Sequence, residues 1–405
     1  MRILVVTPQP PWPPNHGAAM RNSLLVQVLG ARHEVDIVTL AWPDEPAPAD
    51  VPGARRTIAV VHRPSGLLRR GSNLLTGRAP DLVFRHMGRP LRAVVQQRLV
   101  SDRYDAVQLE GLQLAHLAHD VRLTFAGTRD RPAIVYDAHN VEWRLQRAIA
   151  GQARGWRARY AHLQATRLRT VEDQTLAAAD LTIASTADDC AALAALPSAM
   201  RIVHVPHPIA VADRAPAGPP EDAPPCVLLA ANFAYRPNLS GAIWLFGQVW
   251  PRVLQHRPHA QLRVVGRASE RLRLLAPART SIGGAVDNVQ AEYAAAWLAV
   301  SPVPVGAGAP YKVLHAYAAA RPVVVWRRGL AGLTAAALTG TVVAEDAAAF
   351  AEVLVTLLGD VARCGALGRA GHAYAWAAHR PEVVGSRLLE AYAALPQIRA
   401  AKALP

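Results

Sequence analysis

The residue types best suited to chemistry gather in three short stretches. Residues 301–316 read Ser-Pro-Val-Pro-Val-Gly-Ala-Gly-Ala-Pro-Tyr-Lys-Val-Leu-His-Ala. Gly306, Ala307, Gly308 and Ala309 are small enough to leave backbone N–H groups open at a helix start, and Lys312 stands in its first turn. A diphosphate suits this combination, because helix dipole and ammonium both favour its negative charge. His315, three positions on, falls on the same helical face as Lys312. A helix cap with one surface lysine would give the same letters, yet Lys312 and Lys402 are the only lysines in the 405 residues.

The second stretch is Asp137-Ala138-His139-Asn140-Val141-Glu142. It follows an apolar segment that reads as a strand ending at Tyr136. Carboxylates and a histidine at a strand's carboxyl end sit where an open α/β sheet binds its ligand, and imidazole can donate to a sugar hydroxyl or a phosphate. Asp137 and Asn140 could instead cap the following helix. The third stretch, 10–21, carries Asn15-His16-Gly17-Ala18-Ala19 and leads into a helix. Gly17 there lets backbone donors approach a phosphate or sugar, or simply makes a tight turn. No G-x-G-x-x-G or G-K-[ST] motif occurs, which argues against dinucleotide and P-loop sites.

The elements that must position these residues are legible as short β-branched runs at 3–7, 35–40, 106–109 and 134–137. They recur at 227–231, 262–266, 298–302 and 322–326. Stretches with apolar residues at helical spacing separate them, as parallel sheets covered on both faces require. The expectation is an α/β fold of two Rossmann-like, doubly wound domains. The boundaries fall at 1–206, a proline-rich linker at 207–225, a second domain at 226–375, and a last helix at 376–405 returning to the first domain. Prolines 216, 219, 220, 224 and 225 remove the donors a sheet needs and so mark the linker.

Apolar residues make up 51% and charged residues 18%, which excludes a disordered or coiled-coil chain. Three cysteines, Cys190, Cys226 and Cys364, are scattered and form no Cys-x-x-Cys, so neither a disulfide framework nor a zinc site is expected. No apolar run reaches the roughly 18 residues that span a bilayer, and the N-terminal run is too short for a signal peptide. The expected location is cytoplasmic. A net charge of +14 predicts attraction to something anionic.

That charge is nearly all arginine. Arg144, Arg147, Arg154, Arg157, Arg159, Arg167 and Arg169 lie in a helical stretch at 141–180 with Trp143, Trp156 and Tyr160. Arg69, Arg70, Arg78, Arg85, Arg89 and Arg92 accompany Leu67, Leu68, Leu74 and Leu75. Such surfaces fit either a membrane or an acceptor, or are solvated faces of an arginine-rich chain. Nucleic-acid binding would need a recognition motif, and none is present.

Taken in order, Asn232-Phe-Ala-Tyr235-Arg236-Pro237-Asn238, Val265-Gly266, Gly284-Ala285-Val286-Asp287-Asn288-Val289, the Gly306 loop and Gly329-Leu330-Ala331-Gly332-Leu333 resemble the motifs of retaining glycosyltransferases of family four, in the subgroup with a Gly-Ala-Gly donor loop. Pro-Pro-Trp-Pro-Pro with Gly17, residues 104–110 and residues 137–142 extend the resemblance over nearly the whole chain. It implies the GT-B fold and transfer of a sugar, with retention and without a metal, from a UDP- or GDP-linked donor to a glycan, glycolipid or small-molecule acceptor. By the same resemblance, Lys312 would stabilise the leaving diphosphate with Arg236 and Arg267 as further cations, and His139 would meet the transferring sugar. Gly306, Ala307 and Gly308 would lie against the donor. Val286, Asp287 and Asn288 would meet the base, with Gly17 and His315 as further donor contacts. No cofactor beyond the donor substrate is implied. Partners would be the donor, a glycan or lipid-linked acceptor and, through the arginine-rich N-terminal domain, the inner face of an anionic membrane; nucleic acid is not among them.

The chain departs from the family at telling positions. Two glutamates separated by seven residues would fall at Ala307 and His315, and an expected arginine at Pro310. His207-Pro208 replaces the usual Asn-Gly. The alternative reading is therefore a catalytically silent GT-B relative that binds a nucleotide or glycan, or scaffolds a partner.

Overall fold

The structure, a computed structural model, describes residues 1–14, 16–43, 50–63, 65–77, 79–128, 130–218, 224–304, 311–330 and 334–396. It divides into two compact units, Met1–Pro206 with Val384–Pro405, and His207–Val383. Each unit has its own parallel sheet.

The first sheet is built from β1 (Arg2–Thr7), β2 (Glu34–Ala41), β3 (Arg56–Val61), β4 (Ala106–Glu110), β5 (Ala133–Ala138), β6 (Leu181–Ala184) and β7 (Ile202–His204). Its order is β3-β2-β1-β4-β5-β6-β7, with Val5 opposite both Ile37 and Gln108. The crossovers contain α1 (Gly17–Gly30), α2 (Leu67–Thr76), α3 (Asp81–Phe84), α4 (Arg89–Asp102), α5 (Ala115–Thr124), α6 (Glu142–Gln152), α7 (Trp156–Ala178) and α8 (Ala187–Ala194). Strand β1 reads as an unbroken apolar run because both its faces are buried: Leu4 and Val6 enter one core, Ile3 and Val5 the other.

The second sheet takes β8 (Cys226–Ala230), β9 (Gln261–Val265), β10 (Thr280–Ile282), β11 (Leu298–Ser301), β12 (Val323–Trp326) and β13 (Thr341–Ala344), in the order β10-β9-β8-β11-β12-β13. Its helices are α9 (Arg236–Trp244), α10 (Trp250–His256), α11 (Val289–Ala295), α12 (Tyr311–Ala318), α13 (Ala347–Leu357) and α14 (Val361–His379). The last helix, α15 (Pro381–Ala393), sends Val384, Leu388, Ala391 and Tyr392 into the core of the first unit beside Ile3 and Val5. In both sheets the strand order reverses once, between β1 and β4 and between β8 and β11. Open α/β sheets bind ligands outside the strand ends at that point.

Several expectations need correcting. Residues 141–180 form two helices rather than one, since Gly155 takes φ 60°, ψ −138°, outside the right-handed helical region. Residue 376 lies inside α14, and the terminal helix opens only at Pro381; Arg380, the residue before that proline, is extended with ψ 144°. Strand β4 continues through Glu110, which is completely buried.

The described part of the 207–225 linker has no helix or strand, but it is no free tether. The His207 carbonyl accepts from His379 Nδ1 at 2.7 Å, and the Ile209 N–H donates to the His379 carbonyl at 2.8 Å. Further along, the buried guanidinium of Arg321 donates to the Ala217, Ala296 and Ala294 carbonyls, each at 2.7 Å.

Candidate functional site

In the first unit the strand ends at the switch point converge on His139. Parallel pairing sets Glu110 opposite Asp137, and the next turn of β5 brings the His139 ring back over β4. Its Nε2 donates to Glu110 Oε2 at 2.8 Å. Asp137, fully buried, is held by fully buried Arg21 of α1 through two bonds of 2.9 Å, from Nε and Nη2. The same guanidinium donates to the Val205 and Pro206 carbonyls at 3.0 and 3.2 Å. Oriented with its nitrogen inward, the Asn22 amide donates to Glu110 Oε2 at 2.9 Å.

Burial, reinforced by the Asp137 charge, raises the Glu110 pKa. For His139, burial pulls the pKa down, but the Glu110 hydrogen bond and the neighbouring carboxylates outweigh it and leave it above the ordinary value. The pair thus shares a proton in a low-dielectric setting, with 14% of the His139 side chain open to the surface. One ligand atom each from Glu110, Asp137 and His139 lies within 4.8 Å of the others, a spacing a metal could use. Here Arg21 engages both Asp137 oxygens, so the local cation is a guanidinium.

Neither Asp137 nor Asn140 caps α6. Its N-cap, Val141, makes no side-chain cap bond. Glu172 of α7 lies buried nearby, its Oε1 accepting from the Tyr136 hydroxyl at 3.3 Å, and burial pushes its carboxyl up to about 8. Gly17 opens α1, capped by His16, whose Nδ1 accepts from the Ala19 N–H at 3.2 Å.

In the second unit, Lys312 is the second residue of α12, and its Nζ donates to Asn238 Oδ1 at 2.8 Å. Asn238 in turn donates to the Asn232 carbonyl at 2.9 Å, so the lysine is tied to the loop after β8. Burial lowers its pKa to about 8. Arg236 opens α9, and both it and Arg267 are exposed. The Phe233 N–H donates to the Arg267 carbonyl at 2.9 Å, which sets the two arginine-bearing loops side by side. Gly266 makes that approach possible: with φ +126°, a Cβ there would lie 2.0 Å from the Ala231 carbonyl oxygen.

His315 is half-buried one turn beyond Lys312, between Tyr293 and Tyr311 at centroid distances of 5.9 and 6.1 Å. Its Nδ1 has no hydrogen-bond partner among the described residues, and burial depresses its pKa to about 4. Val286 packs on the core near Val289, Asp287 is exposed, and Asn288 caps α11 by accepting from the Ala291 N–H at 3.1 Å. Gly306, Ala307, Gly308 and Pro310 lie outside the described residues.

The arginine surface is less free than its composition suggests. Arg70 and Arg85 pair with Asp81, Arg92 with Asp120 and Arg144 with Asp188, while Arg167 donates to the Asn73 and Leu74 carbonyls. Arg157 and Arg169 lie over Trp156 and Trp143. Arg78 lies outside the described residues. Residue type alone did not mark Arg21, Asn22 or Asn238, because each is generic and acts through a distant partner; Asn238 stood out only as the end of the 232–238 motif.

A family described as Glycosyl transferases group 1 matches residues 224–360, the region holding the Lys312 site. No protein with a curated description matches the chain. Among solved structures, sucrose-phosphate synthase from Thermosynechococcus elongatus is similar over 99% of this chain and 100% of its own, with 18% identity and a TM-score of 0.74. Anabaena HepE in complex with UDP-glucose is similar over 97% and 100%, with 14% identity and a TM-score of 0.63. WaaG, a glycosyltransferase involved in lipopolysaccharide biosynthesis, is similar over 96% and 99%, with 17% identity and a TM-score of 0.61. The chain carries a glycosyltransferase group 1 domain, and its two α/β units have the GT-B fold.

Proposed function

We propose that this chain is a retaining, metal-independent glycosyltransferase that moves a sugar from a UDP- or GDP-linked donor to a glycan or lipid-linked acceptor. The observation that carries this reading is Lys312: a lysine in a chain that otherwise uses arginine, half-buried at the start of α12 and fixed by Asn238 at the strand-order reversal. In the transfer, the bond from the anomeric carbon to the diphosphate oxygen breaks, a bond to the acceptor oxygen forms, and the acceptor's hydroxyl proton is released. Negative charge grows on the leaving diphosphate, where the Lys312 ammonium, the Arg236 and Arg267 cations and the N–H groups of Gly306, Ala307 and Gly308 would stabilise it. His139, oriented by Glu110, would bind the transferring sugar. Neutral His315, with an open Nδ1, would accept from a ribose hydroxyl, with Val286, Asp287 and Asn288 near the base and Gly17 near the sugar. HepE holding UDP-glucose supports the donor class.

The test is calorimetric titration with UDP, GDP, TDP and ADP, followed by donor-dependent product formation. One nucleoside diphosphate should bind, and Lys312→Ala should lower kcat roughly a hundred- to a thousandfold, the usual cost of losing one group that stabilises developing charge. Failure of all four to bind at millimolar concentration would favour the silent, scaffolding relative, the reading that His315 in place of a carboxylate supports.

A lipid-linked acceptor and peripheral membrane contact are supported by α2, an inside-out helix. Leu67, Leu68 and Leu75 share its outer face and are 80%, 91% and 85% exposed, while Arg70 and the Asn73 side chain bond back to the protein. The middle of α7 lies beside it, since Arg167 donates to the α2 carbonyls of Asn73 and Leu74, and α7 opens with exposed Trp156. Arg69, Arg154 and Arg159 are exposed nearby in sequence and form no ion pair among the described residues. An apolar stripe flanked by unpaired cations fits the headgroup region of an anionic bilayer. Flotation with anionic vesicles should carry the protein up, and Leu68→Glu with Leu75→Glu should abolish it; equal flotation of both proteins would remove α2 from the contact.

A further inference from the structure

Tyr392 belongs to the last helix, 253 positions after His139, yet the two are joined by a file of hydrogen bonds inside the first unit. The buried Tyr392 hydroxyl donates to Gln108 Oε1. Gln108 and Glu110 are alternate residues of β4, so their side chains leave the same face of the strand. Gln108 Nε2 donates to Glu110 Oε1, and Glu110 Oε2 accepts from His139 Nε2 at 2.8 Å. Gln108 and Glu110 are almost wholly buried within the sheet. Buried polar side chains are costly unless every group is matched, and leucine at 108 with phenylalanine at 392 would fill the same space.

The direction of the file is fixed by its ends. A phenol proton is available at every physiological pH, because burial, with Glu110 and Asp137 nearby, raises the Tyr392 pKa well above its usual value. The phenol therefore claims the oxygen of the Gln108 amide, and the amide nitrogen must face Glu110. With its amide oriented inward, the Asn22 nitrogen stands 2.9 Å from Glu110 Oε2, 3.1 Å from the Ala18 carbonyl and 3.1 Å from His139 Nε2; its two hydrogens go to the two oxygens, which leaves Nε2 to donate, and Arg21 neutralises Asp137. Glu110 is thereby surrounded by donors and receives the Nε2 proton of His139.

We propose that Tyr392 is a positioning residue: through Gln108 it keeps Glu110 an acceptor, so that His139 holds one ring orientation with its Nε2 proton inward and its Nδ1 edge toward the ligand. The proposal rests on the reading that His139 meets the donor sugar, but its primary test does not. Proton–nitrogen correlation spectra of the full-length chain, with His139 assigned through His139→Gln, should show the Nε2-protonated ring in the wild type. In Tyr392→Phe, Gln108 can turn its carbonyl toward Glu110, which then retains a proton. The His139 midpoint should fall by about half a pH unit or more, a second tautomer should appear, and circular dichroism should show an intact fold.

Gln108→Leu breaks the same file independently and should give the same shift, with the double variant adding little to either. An unchanged His139 titration in whichever of these variants folds would overturn the proposal. Where donor turnover is measurable, Tyr392→Phe should move the acidic limb of the kcat profile to lower pH and leave donor affinity within twofold. Absence of any turnover would count against the glycosyltransferase reading and leave the spectroscopic result standing.

Discussion

Lys312 reaches a single described acceptor, Asn238, and burial brings its pKa to about 8. Above that pH the free protein therefore holds part of its population with a neutral amine. A diphosphate beside the amine favours the ammonium, so binding must take up protons, and increasingly so as pH rises through about 8. Calorimetry in two buffers of unequal ionisation enthalpy should report this uptake, and Lys312→Ala should erase it. Buffer-independent heats would separate Lys312 from the phosphates. His315, depressed to about 4, stays neutral over the same range and contributes no second titration. Lys312 and His139 stand out in the sequence because a scarce residue type, or a polar cluster at a strand end, is visible in one dimension. Asn238 and Arg21 are not: one is a neutral amide, and the other is one arginine among many whose partner Asp137 lies 116 positions away.

At the scale of elements, the packing of α7 against β5 carries a pH signature. The Glu172 carboxyl, bonded to the Tyr136 hydroxyl of β5, is raised by burial to about 8. A raised carboxyl binds its proton more tightly folded than unfolded, so stability is greatest at low pH and declines as pH climbs from the ordinary carboxylate value to about 8. Glu172→Gln keeps an acceptor and removes the ionisation. It should raise Tm by several degrees at about pH 8, with the gain vanishing near pH 4; parallel melting curves across that range would refute the assignment. The buried Glu172 was hidden from sequence reading because its partner Tyr136 lies 36 positions away in β5. The buried strands β1, β2, β4 and β5 are plain as short, mainly apolar, β-branched runs. Strand β7 has only three residues, and β3 opens with Arg56 and is half-exposed, so neither shows such a run. The break at Gly155 was equally quiet, since a single glycine does not announce a left-handed φ.

At the scale of the whole molecule, two independent sheets were readable from the recurrence of strand–helix alternation, and the return of the chain from the resemblance. What composition could not convey is how the +14 charge is distributed: carboxylates hold Arg70, Arg92 and Arg144, while Arg69, Arg154 and Arg159 form no ion pair among the described residues. The packing of α15 beside Ile3 and Val5 has a consequence in time. Residues 207–383 separate the two parts of the first unit. At ribosomal speeds that interval lasts roughly 10–35 s. Throughout it, the nascent chain holds a sheet whose Ile3 and Val5 face is covered by α1 and still lacks α15, leaving part of its apolar surface open. A chain stopped at residue 383 should therefore aggregate, and co-expression of residues 384–405 as a separate peptide should restore solubility. The final helix thus closes synthesis, the piece whose arrival covers what the first-made half leaves open.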